Sequence, residues 1–88
     1  MSLHRKKAII TGITGQIGSY LAELLVEKGY EVYGLARNKL SSNLPTAIEK
    51  KVTFIQLDLG DLNALQTAIE KIRPDEIYNL AAQSNSQI

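Results

Sequence analysis

The segment Thr11-Gly12-Ile13-Thr14-Gly15-Gln16-Ile17-Gly18 constrains this chain more than any other. Its three glycines stand three apart. They follow a short β-branched run, Lys7-Ala8-Ile9-Ile10-Thr11, and precede a stretch of helical periodicity. A buried strand reads as a continuous apolar run that stops at a turn residue. From Gln16 to Lys28 the spacing predicts a helix with an apolar stripe of Ile17, Leu21, Leu24 and Leu25, joined by Tyr20. Gly29 stands where a helix end takes a residue with positive φ. A strand that breaks at glycine straight into a helix is the context of the opening of a βαβ unit.

The rest of the chain continues the alternation. Glu31 to Ala36 predicts a second strand, and Asn38 to Lys51 is polar, with one short helical turn from Thr46 after Pro45. Val52 to Leu57 predicts a third strand. Asp61 is placed to cap a helix from Leu62 to Ile72, whose stripe is Leu62, Leu65, Ile69 and Ile72. Arg73 precedes Pro74 and is thereby kept out of the α region. Glu76 to Ala81 predicts a fourth strand. The expected fold class is α/β: a Rossmann-type parallel sheet, order 3-2-1-4, with helices on both faces. With 88 residues and no internal repeat, one domain is expected. Residues 1–88 read as the N-terminal half of a dinucleotide-binding domain, with no second domain.

Composition narrows the setting. Ten basic and nine acidic side chains give a net charge of +1, which calls for neither nucleic acid nor an anionic membrane as partner. Arg5, Lys6 and Lys7 read as a solvated leader, a phosphate-binding patch being the alternative. There is no cysteine, so no disulfide framework is implied. No apolar run approaches the ~20 residues that span a bilayer, and no signal-peptide core precedes the first strand. The expected location is cytoplasmic.

The glycine turn carries the chemistry. Gly12 lets the chain leave the strand sharply, Gly15 removes a Cβ from the path of a phosphate, and Gly18 lets the helix pack close to the sheet. Thr14, Gln16 and Ile17 complete the turn into the helix. Free N–H groups and the positive end of the helix dipole then suit a pyrophosphate. At the end of the second strand stand Arg37, Asn38 and Lys39, with no acid. A carboxylate there would hold the ribose hydroxyl of NAD, whereas Arg binds the 2′-phosphate of NADP as a fork, so NADP is favoured over NAD. Arg37 and Lys39 as mere loop charges is the alternative. Asp58 and Leu59, at the end of the third strand, are expected beside the adenine, with Asp58 as a plain turn residue the alternative. Leu80, Ala81, Ala82, Gln83 and Ser84 are expected beneath the ribose and nicotinamide, tight packing of a strand end being the alternative.

Three stretches together resemble the extended short-chain dehydrogenase/reductase family: Ile10 to Leu21, Glu27 to Val32, and Pro74 to Ser84. They are most similar to its nucleotide-sugar branch, the GDP-mannose 4,6-dehydratases. The resemblance implies a parent enzyme that oxidises a sugar nucleotide at C4 with NADP, eliminates water across C5 and C6, and returns the hydride. It also implies a homo-oligomer. The related GDP-4-keto-6-deoxymannose reductases and nucleotide-sugar epimerases are the alternative, and a non-catalytic dinucleotide-binding module is the alternative of another class. Three positions depart from the dehydratase pattern. Ile17 stands in place of Asp, the segment 38–51 is shorter than the family's oligomer-building loop, and Asn85 stands where His is expected. The family's Tyr-x-x-x-Lys pair is absent. Four residues beyond Tyr20, Tyr30, Tyr33 and Tyr78 come Leu24, Gly34, Arg37 and Ala82. No catalytic residue is therefore assigned, and the chain reads as a fragment of a longer enzyme. Tyr20 and Tyr78 are expected to be packing residues, His4 an exposed leader residue, and no cluster has metal-ligand spacing. Ser84 and Ser86 have no base beside them.

Overall fold

β-branched runs alternate with helical periods along this chain, and each run finds a parallel partner. The computed structural model describes residues 5–13, 16–37 and 44–80. In chain order the elements are β1 (Lys7–Thr11), α1 (Gln16–Glu27), β2 (Glu31–Ala36), α2 (Thr46–Glu49), β3 (Val52–Gln56), α3 (Leu62–Ile72) and β4 (Glu76–Asn79). The four strands form one parallel sheet in the order β3-β2-β1-β4. β1 is interior: Lys7 to Thr11 pair with Glu31 to Leu35 on one side, and Ala8 to Thr11 with Glu76 to Asn79 on the other. β3 and β4 end one and two residues earlier than predicted, and Ala81 lies outside the described residues.

Successive strand residues point to opposite faces, so β1 feeds two cores. Ala8, Ile10, Val32 and Ala36 meet Ala22 and Leu25 of α1 on one face, together with Ile13. Ile9 and Leu35 meet Ala68 and Ile72 of α3 on the other. Helices therefore cover both faces. Ile9, Ile10, Ile13 and Leu35 are fully buried, and each such side chain contributes about 1.5–3 kcal/mol.

The helices turn different stripes inward from those predicted. In α1 the buried residues are Gly18, Ala22 and Leu25, with Leu21 and Val26 partly buried. Ile17 is 65% exposed, Tyr20 69% and Leu24 39%, so Tyr20 is not a packing residue. The inner face combines the small Gly18 and Ala22 with the larger Leu21, Leu25 and Val26. In α3, Leu65, Ala68, Ile69 and Ile72 pack, whereas Leu62 is 72% exposed. Leu62 is the first residue of α3, directly after the Asp61 cap.

The element ends follow from single residues. Asp61 caps α3 as expected, its carboxylate accepting from the Ala64 N–H at 3.1 Å. Gly29 takes φ 90. The Gly29 N–H then donates to the Val26 carbonyl and the Tyr30 N–H to that of Leu25, both at 3.0 Å, the paired bonds of a Schellman end. Arg73, barred from the α region by Pro74, adopts the left-handed φ 54. The basic leader is more than solvated. Arg5 Nε donates to the Gly29 carbonyl at 3.0 Å and Lys7 Nζ to the Ile72 carbonyl at 3.3 Å. These two cations close the C-terminal ends of α1 and α3, where the helix dipole favours them.

Candidate functional site

Parallel strands deliver all their C-terminal ends to one edge. β1 is the point at which the connections part, towards β2 on one side and β4 on the other. A crevice opens at such a switch point, outside the carboxyl ends of the strands. Gly12 and Ile13 leave β1 there, Arg37 leaves β2, Asp58 and Leu59 leave β3, and Leu80 leaves β4.

Gly12 turns the chain at φ 76, a conformation that L side chains rarely adopt. Its N–H donates to the Leu35 carbonyl at 3.3 Å, which ties the turn to β2. Ile13 follows with no exposure at all. A glycine lies on either side of it. A Cβ on Gly18 would stand 2.5 Å from the Gly12 carbonyl oxygen and 2.8 Å from Ile13 Cα. A Cβ on Gly34 would overlap Ile13 Cδ1 and stand 2.8 Å from its Cγ2. Gly18 was expected to bring the helix close to the sheet. Its close contact is instead with the backbone of the turn. Gln16 and Ile17 are exposed in the first turn of α1, where backbone N–H groups have no helical acceptor.

The floor between β1 and β4 is polar. Thr11, only 5% exposed, donates from Oγ1 to Asn79 Oδ1 at 2.6 Å. The Leu80 N–H donates to the Thr11 carbonyl at 3.2 Å. On the far side of β1 the structure brings together two residues that the sequence singled out separately. Arg37 Nη2 lies 3.5 Å from Asp58 Oδ1, with the side chains 79% and 60% exposed. The same Asp58 oxygen accepts from the Gly60 N–H at 2.9 Å. That amide first, and then the Arg37 guanidinium, hold the Asp58 carboxyl below its usual range. An ion pair this exposed adds little stability.

Leu59 and Leu80 are half-buried and pack against the cores of opposite faces, Leu59 on the α3 side and Leu80 on the α1 side. Thr14, Gly15, Asn38, Ala81, Ala82, Gln83 and Ser84 lie outside the described residues, as do His4, Asn85 and Ser86. Three residues of this edge escaped sequence reasoning: Ile13, Gly34 and Asn79. Gly34 carried a usable signal, because a lone glycine inside a strand marks close approach by another group.

A cavity of about 610 Å³, lined by Arg5, Lys6, Lys28, Gly29 and Tyr30, lies at the opposite, N-terminal edge of the sheet. Nearby, Tyr30 and Tyr78 both donate to the Glu76 carboxylate, at 3.1 and 2.7 Å. Tyr78 also packs on the α1-side core, as expected of it. Among the described residues no group of His, Cys, Asp and Glu could hold a metal ion, and no helix is long and apolar enough to cross a membrane.

Comparison with known proteins places this edge in context. The profile of the family described as GDP-mannose 4,6 dehydratase matches residues 9–87. The GDP-mannose 4,6 dehydratase of Cricetulus griseus is 49% identical over 94 residues, covering 96% of this chain and 25% of that protein. The GDP-mannose 4,6 dehydratase 1 of Arabidopsis thaliana is 46% identical over 91 residues, covering 92% of this chain and 25% of that protein. Among solved structures, the Bordetella bronchiseptica enzyme WbmH in complex with NAD+ superposes with a TM-score of 0.70 at 32% identity, over 86% of this chain and 26% of that one. The chain thus spans about a quarter of the length of the relatives it matches.

Proposed function

We propose, from the premise that this chain belongs to the GDP-mannose 4,6-dehydratase family, that it forms the NADP-binding N-terminal half of a Rossmann domain in a nucleotide-sugar-modifying enzyme. One observation carries the reading. Gly12 turns off the interior strand at φ 76, with the start of α1 packed directly on that turn. The unbonded N–H groups of α1 therefore open at the switch point of the sheet, where a pyrophosphate is held in folds of this kind.

The residues of the chain divide the work. Gly12, Thr14, Gly15, Gln16, Ile17 and Gly18 hold the diphosphate. Arg37 and Asn38 take the 2′-phosphate; Arg37 is exposed and no acid shares the end of β2 with it. Asp58 accepts from the adenine amine, beside Leu59. Leu80, Ala81, Ala82, Gln83 and Ser84 run beneath the ribose and nicotinamide. When bound, NADP supplies hydride acceptance and return. The parent enzyme then oxidises GDP-mannose at C4, loses water across C5 and C6, and returns the hydride, with the related reductases and epimerases as alternatives. The chemistry itself needs a Tyr-x-x-x-Lys pair, which these 88 residues do not contain. A near-neutral charge of +1 and the lack of cysteine support a cytoplasmic setting without nucleic-acid or membrane partners, and the family resemblance implies a homo-oligomeric parent.

NAD is the second reading, favoured by the carboxylate 3.5 Å from Arg37, which offsets the charge that a 2′-phosphate would meet. Titration of NADPH and NADH against the purified protein and its Arg37→Asp variant separates the two. Loss of a charge-assisted fork is expected to weaken NADPH roughly tenfold or more, with NADH little affected. Equal losses for both cofactors would remove Arg37 from this role.

A further inference from the structure

We infer that Ile13 is a positioning residue which, with its backbone against Gly18 and its side chain against Gly34, sets the height of the β1–α1 turn and so aligns the diphosphate subsite with the 2′-phosphate subsite. The inference rests on the dinucleotide reading of this edge.

Gly34 lies on the α1 side of β2, between Val32 and Ala36, both of which face the same core. A missing side chain there leaves a gap that a close-packed interior must fill. Ile13 fills it: its Cδ1, Cγ2 and Cβ crowd the position where a Gly34 side chain would begin, with Cγ2 at 2.8 Å and Cβ at 3.2 Å. Ile13 has no exposed surface, so it cannot swing aside without moving the turn. From above, α1 rests on the same residue, Gly18 leaving room for Ile13 Cα and carbonyl carbon. The adjacent hydrogen bond, Gly12 N–H to the Leu35 carbonyl, fastens the turn to the next residue of β2. Two links at residues 34 and 35 thus fix the turn to the strand that ends at Arg37. A ligand that spans the turn and Arg37 must match that spacing. A ligand that reaches only the ends of β2 and β3 need not.

The test uses NADPH and adenosine 2′-monophosphate as probes, with wild type, Gly34→Ala, Ile13→Ala and the double variant. In Gly34→Ala the added methyl lifts Ile13 and the turn, and NADPH should weaken by about five- to a hundredfold, the range that overpacking a tight interior gives. Adenosine 2′-monophosphate should change by no more than about twofold, as for an uncoupled site. In the double variant the new methyl occupies the space that Ile13 vacates, and NADPH binding should recover most of the loss. Hydrogen exchange of the Gly12 amide reads the seating without any cofactor: it should speed up in each single variant and slow again in the double.

If exchange at Gly12 is unchanged in both single variants, or the double is no better than Gly34→Ala, the seating is wrong and the inference falls. Parallel loss of both probes makes Ile13 a general packing residue and also overturns it. If exchange behaves as stated but wild type binds no NADPH, the dinucleotide reading fails and the positioning role falls with it, the seating alone surviving.

Discussion

Gly18→Ala sets two known effects against each other. In an ordinary helix the change is favourable by about 1 kcal/mol, because alanine loses less backbone freedom than glycine. At Gly18 the new Cβ would stand 2.5 Å from the Gly12 carbonyl oxygen and 2.8 Å from Ile13 Cα, where real Cβ contacts essentially never fall below 3.0 Å. The start of α1 would have to withdraw by about 0.5 Å to reach even that limit. Both obstructing groups are backbone, and the turn that carries them is held by Ile13 below, so neither can yield as the tip of a flexible side chain would. Overpacking a tight interior costs about 1–3 kcal/mol, and rigid backbone on both contacts puts this site at the upper end. After the propensity gain the net loss is about 2 kcal/mol. For a domain of this size that lowers Tm by about 8–16 °C. Thermal unfolding followed by circular dichroism measures it directly. A Tm equal to or above wild type would show that α1 is free to move off the turn, and the close-approach argument would fail.

The remaining predictions concern caps and titration. Asp61→Ala removes the acceptor for the Ala64 N–H and should lower stability by about 1 kcal/mol in urea unfolding; no change would show the cap to be replaced by solvent. Tyr78 donates to Glu76, and that bond, with burial and the nearby negative charge, pushes its pKa from 10.0 up to about 12. The folded chain therefore keeps a proton that the unfolded chain releases between those two values. Stability is full below pH 10 and falls as pH rises through the window to about 12. Glu76→Gln should bring the tyrosinate absorbance step down towards 10.0 and shrink the alkaline loss; a step left near 12 would assign the shift to burial alone.

How much was legible follows from what each residue depends on. β1, β2 and α3 were readable to the residue because their limits are local: a β-branched run stopped by Gly12, a strand opened after Gly29, a helix between Asp61 and the Arg73-Pro74 pair. The sheet order came from the alternation of elements together with the glycine turn that marks the Rossmann pattern. The inner face of α1 did not, because hydrophobicity ranks Ile17 and Leu24 above Gly18 and Ala22, whereas the approach of α1 to the backbone of the turn requires glycine at Gly18. At the site, the positions of Gly12, Arg37 and Asp58 on one edge were legible, since parallel strands put like ends together. The contact between Arg37 and Asp58 was not, because it arises only from the β2–β3 register. Ile13 was passed over as a filler position in a glycine motif, and its partner Gly34 lies a whole helix away in sequence.

The crevice also has a place in time. β1 meets β2 across a short separation, Lys7 beside Glu31. Its other neighbour arrives much later, and the Thr11–Asn79 bond joins residues 68 apart. Contacts of long sequence separation must repay the larger loop-closure entropy and form late. The side of the crevice built by β1, α1 and β2 can therefore assemble while β4 is still unpaired, and on a growing chain the groove acquires its second wall only once Asn79 has emerged. A molecule bridging the two walls would act as a latch on the joint that forms last.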